Sequence, residues 1–308
     1  MIRMTRRKKL RLLIVVVLIL LVGAYGRHRY IDSRYTISGR IQSKDAREVS
    51  GITASRINKD IYYVHNDSGD TSRFFAITPA GKVRSTIYYK WDTSRNVLEH
   101  DCEDIATGPG PVKGKNYIYI GDIGDNGATR SYITVYRMQD QPAFATQKVV
   151  HTTAQAVNLK YPDGRRDAET LMIDPIDRLL YIVTKRFDSV TVYTAPLNYR
   201  HNDTITLTKR CRLFFPGIKP FKWITAGDIS PDGKQVLLKN YERVYYWQRK
   251  KGEAIWQTLQ RKPSRPFYQP EKLGEAVGFT ADGKGYYTTS EGVYSPIFYY
   301  NVPGYFGM

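Results

Sequence analysis

The sequence predicts an all-β chain, a five-bladed β-propeller preceded by a single transmembrane signal anchor. Three observations lead there. From residue 35 onward no long segment shows helical periodicity, whereas short runs rich in Tyr, Ile, Val and Thr alternate with Gly, Pro, Asp and Asn. Five segments share one design, a strand, a tight polar turn and a returning strand: EVSGITAS with IYYVHND, DCEDIATG with YIYIGDIGDN, DAETLMID with LLYIVTKR, TAGDISPD with QVLLKNYE, and GEAVGFTA with GYYTTSEG. Counted from Gly51, Asp104, Thr170, Asp228 and Ala276, these units recur every roughly 50 to 65 residues, enough for four strands each.

The elements follow in chain order. RRKKLRLLIVVVLILLVGAYG joins a cationic stretch to an unbroken apolar run from Leu12 to Val22, the pattern of an export signal. Counted from Leu10 through Tyr25 the run reaches the lower limit for a membrane span. The basic cluster from Arg3 to Arg11 outweighs Arg27 and Arg29, which puts the amino terminus in the cytoplasm and the remainder outside it, in the periplasm or beyond the cell. The expected division is an anchor at 1–26, a juxtamembrane linker at 27–34 and a propeller at 35–308; the alternative is a cleaved secretory signal.

Third strands are expected at FFAITPAG, ITVYRM, VTVYTAPL, RVYYWQRK and PIFYYNV. Fourth strands are expected at STIYYKW, AQAVNLKY, ITLTKRCRLFF and AIWQTLQ. The fifth unit has no room for a fourth strand of its own. YTISGRIQ, at the start of the exported part, fills that vacancy and closes the ring, leaving no open sheet edge. A six-bladed ring is the competing arrangement.

Composition narrows the partners. The net charge of +18 includes eight basic residues that precede the first acid, Asp32, and the rest of the chain remains basic. Cys102 and Cys211 match no metal spacing and no disulfide framework. The 25 tyrosines alternate within strands, where they pack between blades, so together with the export signal they argue against a nucleic-acid partner. The positive surplus suits a surface facing anionic headgroups or envelope polymers.

Alignment of the five innermost strands places Ser50, Glu103, Glu169, Gly227 and Glu275 in one column at the channel mouth. Three carboxylates that close cannot all stay ionised without raised pKa values or a cation between them. An all-oxygen set favours Ca²⁺. The competing explanation is channel water or salt bridges to arginines such as Arg166. Loops between second and third strands are acidic on blades 1 and 2 and basic on blades 3 and 4, so Lys185, Arg186 and Lys239 are candidate ligand-binding residues, and His65 and His100 candidates for proton transfer. NDSGD and DIGDNG lack EF-hand spacing and are expected to be structural Asx turns.

The segments HNDSGD, DCEDIA, GDIGDN and YPDGRRDAE resemble an extracytoplasmic bacterial β-propeller family, described as WD40-like or phytase/esterase-like, across nearly all of the exported part. That resemblance implies no settled activity. The anchor, five blades and Ser, Glu, Glu, x, Glu column are more remotely similar to calcium-activated nucleotidases (apyrases), whose central Ca²⁺ is held by Ser, Glu, Glu, Ser, Glu. Gly227 departs from that succession. The sequence therefore points first to a membrane-tethered ligand- or protein-binding module with calcium at the mouth. A calcium-dependent hydrolase of phosphate esters or anhydrides is the alternative, and glycoside hydrolysis by opposed carboxylates a third.

Overall fold

The computed structural model describes residues 6–32, 34–91 and 101–304. The first 36 residues and residues 37–308 form two separate units. The first contains one helix, Arg6–Asp32, whose Arg6–Gly26 portion is long and apolar enough to cross a membrane. The backbone stays helical through most of the expected linker, ending at Asp32.

Among the described residues the strands of the second unit form five sheets, each a propeller blade. Blade 1 runs outward from Val49–Ala54 through Tyr62–Asn66 and Arg73–Ile77 to Val83–Lys90. Blade 2 follows with Cys102–Pro109, Asn116–Asp122, Ile133–Gln139 and Gln155–Lys160, and blade 3 with Ala168–Asp174, Leu179–Thr184, Ser189–Pro196 and Thr208–Phe214. Innermost strands pack side by side around a ring, from blade 1 through blade 5 and back to blade 1. Apolar side chains fill the spaces between blades: Tyr119, Leu171 and Ile182 pack in one cluster between blades 2 and 3, and Met172, Val236 and Leu238 in another between blades 3 and 4.

Blade 5 contains Ala276–Phe279, Gly285–Thr289 and Pro296–Asn301, and its outermost strand is Thr36–Arg40, from the beginning of the domain. The closing strand predicted from YTISGRIQ is therefore in place. Its backbone runs against the turn of blade 1. Gln42 N–H donates to the Gly81 carbonyl at 2.8 Å, and a Cβ on Gly81 would lie 2.0 Å from the Arg40 carbonyl oxygen.

Two features depart from the expected pattern. Blades 1 and 2 each gain a fifth, parallel strand, Val149–Thr153 and Asp203–Thr206, supplied by the third-to-fourth-strand connection of the following blade. Blade 4 has only Ile224–Ile229, Gln235–Asn240 and Val244–Gln248. Its expected fourth strand at AIWQTLQ is instead a short helix, Ile255–Leu259, opened by Gln257 reaching back to the Ala254 N–H. The following segment contains Pro263 and Pro266, which offer no N–H to a ladder. Only Ser264 pairs with Tyr246, exchanging both backbone bonds at 3.0 Å.

Two buried aspartates fasten neighbouring blades. Asp104 accepts N–H bonds from Ile105 and from Leu171 of blade 3, while Asp228 accepts them from Ile229 and from Phe279 of blade 5. These bonds explain why DCEDI and GDIS carry an acid inside the core: the carboxylate satisfies backbone donors across the blade boundary.

The closing contact is testable with two glycines of similar left-handed backbone. Gly81 (φ +83°) faces the closing strand and Gly69 (φ +82°) faces open space. Gly69→Ala is expected to cost about 1 kcal/mol and Gly81→Ala about 2 to 4 kcal/mol. Urea unfolding of the two variants measures the difference.

Candidate functional site

The channel mouth is built from one irregularity repeated around the ring. In blades 1 to 4 the register between first and second strands slips by one residue near the start of the innermost strand. The residue left over is Ser50, Glu103, Glu169 and Thr225 in turn. Glu275, immediately before the first paired residue of blade 5, holds the corresponding place. A bulge frees one side chain from the alternation of the strand and re-aims it. Five such positions on one ring make the column.

Gly227, the fourth member expected from sequence, pairs with Leu238 inside the ladder, two residues below the bulge, and Thr225 takes its place. The cause is the Asp clamp. Aligning GDI of blade 4 with EDI of blade 2 assumes that Asp228 and Asp104 lie at one depth, but Asp228 repeats the same bonding pattern two residues further along its strand.

Glu103, Glu169 and Glu275 are all buried. Carboxylate oxygens of Glu103, Asp167 and Glu169 lie within 4.8 Å of one another, as do those of Asp67, Asp101 and Glu103 and those of Asp67, Glu275 and Glu291. Asp67, from HNDSGD, therefore joins the two sides of a continuous acidic ring. Backbone bonds fix its supports: Asp67 N–H donates to the Glu48 carbonyl, Gly124 N–H to that of Asp101, and Lys185 N–H to that of Asp167. At Gly124 the backbone comes close to the carboxylates: a Cβ there would lie 2.3 Å from Asp101 Oδ2 and from Glu103 Oε1, and both side chains would have to move aside.

Compensation for this charge is partial. Lys185 Nζ pairs with Glu169 Oε1, and Tyr241 donates its hydroxyl proton to Glu275 Oε1. Glu169 Oε2 and Thr225 Oγ1 are buried without a hydrogen-bond partner among the described residues. Ser50 Oγ donates to the Glu103 carbonyl at 2.8 Å. Burial, then Glu169, Asp67 and Asp101, push Glu103 well above the usual carboxyl range, against the pull of Lys185. Glu169 is raised by burial, with Lys185 opposing and Glu275 reinforcing. Asp67 rises to about 6, chiefly through burial, and Glu291 to about 7 through burial and Glu275. For Lys185 burial acts downward, but Glu169 and its neighbours outweigh it and keep the ammonium protonated.

The other predicted residues occupy different positions. Arg186 bonds Asp167 at 2.6 Å and stacks over the Trp223 ring, bracing the mouth between blades 3 and 4. Lys239 is fully buried, with its ammonium on the Gly274 carbonyl and over the Tyr268 ring, and burial pushes it down to about 8. His65 is buried, with Nδ1 on the Asn66 carbonyl at 2.7 Å and its pKa lowered by burial to about 4, so it stays neutral. His100 lies outside the described residues. Arg166 pairs with Asp163 rather than with the glutamates. In DIGDNG, Asp125 accepts the N–H groups of Thr129 and Arg130, four and five residues on, so its carboxylate pins a wider loop than the expected two-residue Asx turn.

Sequence reading missed Asp67, Asp101, Asp167, Glu291 and Thr225. A signal existed for two of them, since Asp-x-Glu occurs at Asp101–Glu103 and again at Asp167–Glu169. At the opposite end of the channel Arg56 donates to Thr107 Oγ1 at 2.9 Å and to the Thr107 carbonyl, with Asp228 of blade 4 and Asp140 attracting it. A scan against protein-family models and a search of curated proteins each returned no match.

The raised carboxyls bind protons in the folded state that the unfolded chain has released, so their contribution is present at low pH and lost as pH rises through the folded values. His65, with its lowered pKa, acts in the opposite sense below about pH 6.5. In chelator, stability is therefore expected to fall between about pH 6.5 and 8, and Glu169→Gln to flatten the decline. Urea midpoints across that range check both outcomes.

Proposed function

We propose that the protein is a membrane-tethered, extracytoplasmic binding module whose channel mouth holds a divalent cation of the calcium class, with the surrounding face recognising the ligand. The observation that carries this reading is a pair of buried oxygens with no partner among the described residues, Glu169 Oε2 and Thr225 Oγ1, on a column of clustered carboxylates. Unpartnered buried oxygens of this kind are costly unless a cation or water completes them. The donors are all hard oxygens, from Ser50, Asp67, Glu103, Glu169, Thr225 and Glu275, the chemistry that suits Ca²⁺. With Thr225 at the fourth bulge the column reads Ser, Glu, Glu, Thr, Glu, a hydroxyl standing where the apyrases carry one. When bound, the ion would neutralise the carboxylates and offer its remaining coordination positions to an anionic ligand.

Tethering and export rest on the apolar helix and the basic cluster before it. The alternative, hydrolysis of phosphate esters or anhydrides, draws on Lys185 and Arg186 beside the acidic ring. Binding is preferred because both cations are already engaged by Glu169 and Asp167, and His65 is held neutral by burial.

Calcium at 100 times its dissociation constant is expected to stabilise the full-length protein by about 2.7 kcal/mol, visible as a raised Tm. Glu169→Gln and Thr225→Val should reduce the shift. An unchanged Tm at millimolar calcium would defeat the proposal. Hydrolysis of nucleotides or phosphomonoesters that needs both calcium and Lys185 would favour the enzyme instead.

A further inference from the structure

Blade 4 lacks a paired fourth strand, and the gap leaves a groove of about 470 Å³ on the rim between blades 3 and 4. One wall is the end of blade 3, from Arg212 to Pro216, and the other is the segment from Leu259 to Arg265, with Tyr245 and Trp247 at the base. Four cationic residues line it, Arg212, Arg261, Lys262 and Arg265, and no carboxylate does. Arg261 is partly neutralised by Glu253 at 3.0 Å and also donates to the Gln248 carbonyl. Arg212, Lys262 and Arg265 are exposed and form no ion pair among the described residues. Arg265 lies over the Tyr245 ring, its guanidinium 5.8 Å from the centroid, which leaves its N–H edge available.

Like charges gathered without counter-ions concentrate anions at the surface. Guanidinium forks match the paired oxygens of a phosphate, and lysine adds a point charge. A single phosphate would occupy only one or two of the four groups. We infer that this groove binds a phosphate-bearing polymer, several consecutive phosphate groups lying along Arg212, Lys262 and Arg265. The inference is independent of the cation proposed at the channel mouth.

The test uses the full-length protein in detergent micelles with chelator present, and short-chain inorganic polyphosphate as the probe. Titration calorimetry should show binding that weakens at least tenfold in the triple variant Arg212→Gln, Lys262→Gln, Arg265→Gln. The salt dependence of log K should fall by about 2 in slope, since each lost phosphate contact on a single strand removes ~0.7. Lys113→Gln with Lys115→Gln, on the turn of blade 2, should leave affinity unchanged, and polyglutamate of equal charge should bind at least tenfold more weakly. Equal binding by the triple variant, an equal loss in the blade 2 control, or equal affinity for polyglutamate would each overturn the inference. If the triple variant melts abnormally, hydrogen exchange on the unaltered protein decides: polyphosphate should protect residues 259–265, and unchanged exchange there refutes the site.

Discussion

The pairing of Thr36–Arg40 with Pro296–Asn301 keeps five innermost strands around one axis. Without it blade 5 would be three-stranded, and the start and end of the domain would be joined only by the packing of blade 5 against blade 1 and by isolated bonds such as Gly292 N–H to the Arg47 carbonyl. The acidic ring depends on this closure directly, because Glu275 and Glu291 come from blade 5 and Asp67 from blade 1. Carboxylates so near one another repel when ionised, and burial together with that repulsion holds Glu103, Glu169, Asp67 and Glu291 toward the protonated form. The two Asp clamps add to the restraint by joining blade 2 to blade 3 and blade 4 to blade 5.

Much of this architecture was legible in the sequence, for identifiable reasons. Alternating Tyr, Ile and Val runs identify strands because a half-buried sheet imposes a period of two, and the missing strand of the fifth unit identified the closing one. The short helix at Ile255–Leu259 was hidden because AIWQTLQ has an apolar pattern compatible with either state; Pro263 and Pro266 downstream decide against a paired strand. The fifth strands of blades 1 and 2 are formed by partners remote in sequence, which no local pattern announces.

The site was legible in residue type more than in register. Ser50, Glu103, Glu169 and Glu275 share the mouth end of their strands, but the bulges that define the column leave no compositional mark. Blade 4 shows the consequence, since the recurring Gly/Glu-Asp-Ile motif drew the alignment to Gly227 while the free hydroxyl belongs to Thr225. Asp67 was hidden differently: its loop has an ordinary turn composition, with Asp67 also accepting the Ser68 N–H at 2.6 Å. Only the fold reveals that the same side chain faces three glutamates from other blades, Glu103, Glu275 and Glu291.

Arg56, beyond the last residue of the innermost strand of blade 1, bonds Thr107 of blade 2 and is attracted by Asp228 of blade 4. A guanidinium thus stands at one end of the innermost strands and the clustered carboxylates at the other. The inner wall of the toroid is electrically polarised along its axis, so an ion approaching from one face meets the opposite sign to one approaching from the other.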